Sequence, residues 1–409
     1  MTRDVEALEF ESGGLGLGAG PLASAGNRVE LLRNGEAYFP ALLAAIDAAQ
    51  RWVQLETYIF AEDNMGARVA GALADAASRG VEVRLVLDGF GCANTADALR
   101  AMLTPTGVQV RVFRPARWWR LGRRHWRRLH RKIAVVDDAV AFVGGINVID
   151  DHHHRPGERG VLGPRYDYAV RVQGPLVADV ALTARRLWWR LGLTGAEVGA
   201  ASLPPGPRQA GAPLPGGVAA ALLLRDNLRN RRTIERAYLR ALARARNEVL
   251  IVSAYFVPGR RFLTALMRCA QRGVRVRLLL QGRVDHRLYT YAEQALWDRL
   301  LAAGIEVHRY LPSYLHAKAA VVDGAWATVG SSNIDPYSLW LALEANVAVQ
   351  DQGFAQALAQ DIAAVIENEA APVLREEHER RPWWSRLAQR AAYGVVRFVT
   401  WIVARRRDL

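Results

Sequence analysis

The sequence predicts an α/β fold built from a duplicated unit, and three observations carry that reading. Apolar runs of strand length alternate with Ala-rich stretches of helical period, which calls for at least partly parallel sheets. Two such blocks resemble each other: VQLETYIF at 53–60 with RGVEVRLVLDG at 79–89, and LIVSAYFV at 250–257 with RGVRVRLLLQG at 272–282. Between them, residues 196–217 form a Pro- and Gly-rich stretch with Pro204, Pro205, Pro207, Pro213 and Pro215, which reads as a linker. The repeat is far longer than the roughly 20–50 residues of a solenoid unit. It is a duplicated domain, and its halves could share one pseudo-symmetric site.

Taken in order, residues 12–27 are rich in Gly, Ala and Ser and read as a flexible lead-in. Asp4, Glu6, Glu9 and Glu11 interrupt what would be a signal peptide's apolar core, so no targeting segment is expected. Helical periodicity at about 37–51 and 229–247 opens each half, followed by strand, Ala-rich helix and a strand ending near Gly. The expected division is a flexible segment at 1–26, a first lobe at 27–195, the linker at 196–217, a second lobe at 218–371 and an amphipathic segment at 372–409. The length of 409 residues suits two domains, and 51% hydrophobic with 23% charged residues excludes a disordered chain. No run of about 18 apolar residues predicts a spanning helix. Cys92 and Cys269 are too few for a disulfide framework or a Cys-rich zinc site, which suggests a reducing compartment.

A formal charge of +14 points to polyanionic partners: nucleic acid, anionic lipid or phosphorylated substrates. Of the 54 cationic Lys and Arg residues only Lys132 and Lys318 are lysine. A lysine kept where arginine has replaced all others suggests a need for a compact ammonium with three rotatable donors.

Both lysines fall in a paired motif. HRKIAVVDDAVAFVGGIN runs from His130 to Asn147, and HAKAAVVDGAWATVGSSN from His316 to Asn333, both H-x-K-x4-D-x6-G-x2-N. Each apolar run meets an Asp-containing turn and resumes, which predicts a hairpin. On a strand, positions i and i+2 share a face, so His and Lys project together. The Gly-rich turn then brings backbone and Asn close to a ligand. Two such sets suit phosphoryl chemistry. One histidine attacks phosphorus, the other protonates the departing alkoxide, and Lys and Asn hold the non-bridging oxygens. No metal and no other cofactor is called for. A single H-x-K would be an ordinary surface pair; two copies at equal spacing in a repeat are not.

The paired motif resembles the phospholipase D superfamily, whose members carry two H-x-K-x4-D motifs. Flanking segments, among them NRVELLRNGEAYFPALLAAI at 27–46, LLRDN at 223–227, AYFVPGRRFL at 254–263 and WATVGSSNIDPYSL at 326–339, resemble the B-type bacterial cardiolipin synthases. The resemblance covers roughly residues 27–385. It implies two pseudo-symmetric phospholipase D-like lobes, each a mixed β-sheet flanked by α-helices, with the active site in the cleft between them. It also implies a covalent phosphohistidine. His130 is expected as nucleophile and His316 as acid, in a nearly symmetric arrangement that leaves the order open. Lys132, Lys318, Asn147 and Asn333 would hold phosphate. Asp137 and Asp323 belong to the catalytic motif but are expected to brace its hairpins. Asp167 in YDYAV and Glu344 in LEANV match the carboxylates that orient the histidine rings; a solvated strand end is the plainer reading of each. Glu56, set against Ser253 in the second half, would serve one side of the cleft or structure alone.

Three further features bear on the substrate. Arg114, Arg117, Arg120, Arg123, Arg124, Arg127, Arg128 and Arg131 interleave with Trp118, Trp119 and Trp126, which suits an anionic membrane surface, single-stranded nucleic acid, or a solvated basic loop. In the C-terminal segment Arg386, Arg390 and Arg397 fall within about 40° on a helix whose remaining circumference is largely Leu387, Val395, Val396, Phe398, Val399, Ile402 and Val403. With Trp383, Trp384, Trp401 and the run Arg405–Arg407, this suits a helix in the headgroup region; packing on the protein's own core is the alternative. His152, His153 and His154 are adjacent and cannot all face one ion, so no metal is expected. The expected partners are anionic phospholipid (phosphatidylglycerol) and the membrane surface, not nucleic acid, at the cytoplasmic face of the cytoplasmic membrane. The expected reaction is phosphatidyl transfer between two phosphatidylglycerols, giving cardiolipin and glycerol. A hydrolase or nuclease of the superfamily is the enzymatic alternative, and a nucleic-acid-binding protein with inactive motifs the non-enzymatic one.

Overall fold

The computed structural model describes residues 23–115, 127–153, 162–193, 211–226, 230–335, 342–376 and 380–405, with side chains through Phe398. Arg117, Trp118, Trp119, Arg120, Arg123, Arg124, Trp126, His154, residues 196–210 and 1–22, Arg406 and Arg407 lie outside the described residues.

The first half contributes β1 (Ser24–Arg33), α1 (Asn34–Asp47), β2 (Trp52–Thr57), α2 (Asn64–Ser78), β3 (Glu82–Asp88), α3 (Ala96–Leu103), β4 (Gln109–Phe113), β5 (Arg128–Leu129), β6 (Lys132–Val136), β7 (Val140–Gly144), β8 (Tyr168–Gln173) and α4 (Leu176–Gly192). The second repeats the plan with β9 (Val218–Arg225), α5 (Thr233–Arg244), β10 (Glu248–Ser253), α6 (Arg260–Gln271), β11 (Arg275–Gln281), α7 (Arg287–Ala302), β12 (Glu306–Tyr310), β13 (Lys318–Val322), β14 (Trp326–Gly330), β15 (Ala342–Gln350), α8 (Gln352–Glu369), β16 (Ala370–Pro372) and α9 (Trp383–Arg405). Caps fix some starts: Asp63 accepts from Gly66 N–H at α2, and Asp351 from Phe354 N–H at α8.

The strand order is β16-β12-β11-β10-β13-β14-β15-β9-β1-β8-β7-β6-β2-β3-β4. Read outward from the β9–β1 junction, the halves follow the same order, so the pseudo-twofold lies there. Each half-sheet is mixed: β2, β3 and β4 pair in parallel, as do β10, β11 and β12, while β6–β7–β8 and β13–β14–β15 are antiparallel. Helices cover the parallel strands, and the inner ones are buried along most of their length, β2 throughout and β10 from Val249 onward. α1, α2 and α3 close an outer core on the first lobe, and α5, α6 and α7 one on the second. Between them, strands of both lobes share a central core with α4 and α8, including Val135, Val170, Val252, Val321 and Ile362. One apolar core therefore fixes the lobes against each other.

α9 packs one face on the protein and leaves apolar side chains of another exposed. Ala392 and Val396 pack with Val257 and Ala292, Gln389 donates to Gln294, and Arg381, just before the helix, lies over Trp297. Val396 thus turns inward, not outward with its apolar neighbours. Trp383, Trp384, Leu387, Val395 and Phe398 remain exposed. Among the described residues no helix is long and apolar enough to cross a membrane.

Candidate active site

The two motifs form hairpins, β6–β7 and β13–β14, whose open ends meet at the lobe junction. The histidines do not stand on these strands as the i, i+2 argument expects; each precedes the strand that its lysine opens. The reason is a change of partner. β6 pairs with β2 and β7 of its own lobe, but the residues just before it pair with the other lobe. His130 and Arg131 both donate their N–H to the Leu343 carbonyl, at 3.1 and 2.8 Å. His316 and Ala317 likewise donate to the Tyr166 carbonyl, at 2.8 and 3.0 Å.

The side chains cross in the same way. His130 Nδ1 lies 3.1 Å from Glu344 Oε2, and His316 Nδ1 lies 2.6 Å from Asp167 Oδ2. Each ring is thus oriented by the other half's carboxylate, and each Nε2 is left to face the cleft. The two dyads differ in construction. Gly145 lies against Asp167, and a Cβ there would sit 2.2 Å from Oδ1. At the matching position Ser331 donates to Glu344 Oε2 at 2.6 Å. The longer Glu faces a hydroxyl, the shorter Asp faces a bare glycine.

Lys132 Nζ donates to the His130 carbonyl at 2.7 Å, and Lys318 to the His316 carbonyl. Both lysines are buried. Burial, then the neighbouring Lys318, pulls the Lys132 ammonium down to about 7, and burial pulls Lys318 down to about 8. Burial pushes the Asp167 carboxyl up to about 7. Burial also holds both histidines below the ordinary imidazole range, with both lysines adding to it at each ring; the Glu344 carboxylate offsets part of this at His130, and His316 lies further below. These shifts favour the neutral imidazole at both rings.

Asn147 and Asn333 line the cleft from opposite lobes. Asn147 Oδ1 accepts from Ile59 N–H at 3.1 Å, whereas Asn333 Oδ1 is buried without a hydrogen-bond partner. The cleft, about 530 Å³, is also lined by Tyr58, Arg128, Arg165 and His153. Tyr58 packs on His130, ring centroids 4.9 Å apart. Of these, Arg128 and His153 stand in the basic and histidine-rich stretches and Tyr58 in the first repeated block, while Arg165 belongs to no motif, and no spacing in the sequence aims any of them at the cleft. Among the described residues no group of His, Cys, Asp or Glu is arranged to hold a metal.

The two motif aspartates brace their hairpins as expected, and one other expectation needs correction. Asp137 and Asp323 are not in the cleft. They sit at the far ends of β6 and β13, at φ of 54° and 53°. Asp137 accepts from the N–H groups of Gln50, Arg51 and Trp52, and Asp323 from those of Arg246, Asn247 and Glu248, at 2.8–2.9 Å. They brace hairpins. Glu56 does not match Ser253. Glu56 faces Ile133 in the sheet register while Ser253 faces Lys318, so Ser253 matches Thr57. Glu56 is buried against Arg131, 2.6 Å from its Nε, and serves structure.

Two imidazoles, cross-braced by carboxylates and flanked by buried ammonium and amide groups in a duplicated α/β frame, make this a phosphodiester-transferring enzyme of the phospholipase D type. Residues 42–162 and 238–366, which contain both motifs, match the family described as cardiolipin synthase, PLD-like domain. The chain belongs to this cardiolipin synthase family of phosphatidyltransferases. It is 38% identical over 393 residues to cardiolipin synthase B of Escherichia coli K12, covering 93% of this chain and 91% of that one. It is 31% identical over 380 residues to cardiolipin synthase A of Escherichia fergusonii, covering 90% and 75%. Among solved structures, phosphatidylserine synthase of Haemophilus influenzae shares the fold, with a TM-score of 0.68 at 15% identity over 91% of this chain and 94% of that one.

Proposed function

We propose that this protein joins two phosphatidylglycerol molecules into cardiolipin and glycerol through a phosphohistidine. The observation that carries the reading is the crossed pair of His–carboxylate dyads at one cleft. His130 Nε2 attacks phosphorus, and the bond to the headgroup glycerol oxygen breaks. His316 delivers its Nε2 proton to that alkoxide. Neutral His316 then takes the hydroxyl proton of a second phosphatidylglycerol, whose oxygen attacks phosphorus as the P–N bond breaks. Cardiolipin leaves and both rings are restored. The acid must enter protonated, and the substrate provides for this. An anionic phosphodiester beside Lys132 and Lys318 offsets their charge and raises the His316 pKa.

An asymmetry supports His130 as the nucleophile. Tyr58 restrains His130 on one side. Its counterpart by the Thr57–Ser253 register is Ala254, so the His316 side is open, toward Tyr255 and Tyr289. A nucleophile gains from restraint, whereas an acid-base must meet both the leaving glycerol and the incoming lipid.

The protein would act from the cytoplasmic face of the cytoplasmic membrane, held peripherally by the exposed apolar stripe of α9. The two lobes would divide at residues 196–217. The test is purified protein with labelled phosphatidylglycerol in vesicles and a chelator present, the lipid products being resolved. Cardiolipin with glycerol supports the reading. Phosphatidic acid alone makes the enzyme a hydrolase, and no turnover rejects both.

A further inference from the structure

The two lobes use equivalent helix pairs for the same structural task, yet their charge is very different. α1 and α2 cover one outer core with Phe39, Leu42, Val69 and Leu73; α5 and α6 cover the other with Tyr238, Leu242, Phe262 and Leu266. Around the first pair, residues 32–49 and 64–79 carry three arginines against three acidic residues. Around the second, residues 231–246 and 260–272 carry ten arginines against Glu235 alone. The fold does not require this charge, because the first lobe does without it.

Part of this charge works against local stability, although Arg244 and Arg268 stand in last turns that favour cations. Arg236, Arg240 and Arg244 repeat at i, i+4, where like charges repel. Arg260 and Arg261 occupy the first turn of α6, where the helix dipole disfavours cations, and that turn holds no acidic residue. Departures from local consistency are expected where a surface has a task. Between the helices runs a groove of about 500 Å³, with Leu239, Leu242 and Ala265 along its floor and Arg260, Arg261 and Arg268 at its rim. None of these three guanidinium groups makes a hydrogen bond or ion pair with another described residue. The start of both helices adjoins the catalytic cleft, since Ile234, Gly259 and Asn333 line one small crevice.

We infer that the α5–α6 groove is a docking site for the phosphodiester headgroups of an anionic bilayer, separate from the catalytic cleft and beside its mouth. This rests on the lipid substrate proposed above and adds where the bilayer is held. Charge complementarity selects an anionic surface, and the groove's apolar floor suits the glycerol and upper acyl carbons of a lipid. A single-stranded nucleic acid would want stacking rings, and the groove lining has none.

The test uses the full chain with Arg260→Gln, Arg261→Gln and Arg268→Gln together. Binding is measured by sedimentation with phosphatidylcholine vesicles, with and without phosphatidylglycerol. About fivefold per arginine predicts about 100-fold weaker binding to the anionic vesicles, with turnover in detergent micelles unchanged. An Arg68→Gln, Arg100→Gln control on the first lobe should lose far less per charge. Replacing the same three arginines by lysine should keep binding, which separates charge from packing should the Gln variant fold poorly. Binding within threefold of wild type, an equal loss per charge in the control, or a larger loss for a single-stranded oligonucleotide than for vesicles overturns the inference. If wild type binds through the groove yet makes no cardiolipin, the catalytic reading fails and the docking site stands.

Discussion

Asp167→Asn is the sharpest probe of the crossed dyads. The substitution keeps the size of the side chain but removes the charge 2.6 Å from His316 Nδ1. With charge centres about 4 Å apart and an effective dielectric near 20, an imidazolium–carboxylate pair is worth about 4 kcal/mol. The imidazolium is the form that donates to the leaving glycerol, so its loss slows turnover by about 1000-fold. The measurement is kcat for cardiolipin formation in mixed micelles, followed by trapping of the phosphatidyl-enzyme. A second substrate sharpens it: a phosphodiester with a p-nitrophenolate leaving group needs no proton from an acid. With that substrate Asp167→Asn should form the covalent enzyme at nearly the wild-type rate. Glu344→Gln, which disturbs the nucleophile His130, should stay slow with both substrates. Rescue of Glu344→Gln instead of Asp167→Asn reverses the roles of the histidines. If kcat for Asp167→Asn stays within tenfold of wild type, the cross-lobe coupling is wrong.

Three more outcomes follow from the geometry. Asp137→Ala removes the acceptor of three backbone N–H groups at a partly exposed turn and should destabilise the protein by about 2–3 kcal/mol in chemical denaturation; a loss under about 0.5 kcal/mol would rule out bracing. Glu56→Ala strands the buried Arg131 guanidinium and should cost about 3–5 kcal/mol by the same measurement, whereas Glu56 acting on substrate would instead lower kcat with stability intact. The buried lysines make activity and stability move oppositely with pH. Rising pH removes the protons of Lys132 near 7 and of Lys318 near 8, so kcat/KM falls through that range. Their unfolded-state value is 10.5, so between pH 7 and 9 the unfolded chain binds more protons and the empty protein gains stability as pH rises. Parallel decline of both quantities would show that the lysines are not the groups responsible.

The duplication, the alternation of strands and helices, and the motif spacing were legible because each is a local pattern that repeats. Even the bracing role of Asp137 and Asp323 could be anticipated, since Asp in a strand-to-strand turn commonly accepts backbone N–H groups. The pairing of His130 with Glu344 and of His316 with Asp167 could not. Twofold symmetry permits carboxylates from the same half or the opposite one, and only the register of β5 on β15 decides between them. The Glu56–Ser253 comparison failed for a related reason. A slip of one residue along a strand turns every side chain to the other face, and the strings LETYIF and LIVSAYFV align equally well by eye in either register.

A duplicated chain carries its own control, because each half shows what the fold alone demands of the other. Both halves keep His, Lys, Asp and Asn, so these cannot distinguish nucleophile from acid or donor from acceptor. The differences can. Tyr58 packs on His130 where the other half has Ala254. Gly145 with Asp167, against Ser331 with Glu344, gives the two histidines partners of different reach and hydrogen bonding. An arginine-rich α5–α6 face against a neutral α1–α2 face puts a basic helix face on one lobe only, the same lobe that carries α9. A reaction that moves one lipid's phosphatidyl group onto another needs such polarity, since its two substrates enter at different times and leave different products. The symmetric residues are alike for both lipids, so only the asymmetric ones can tell one lipid from the other.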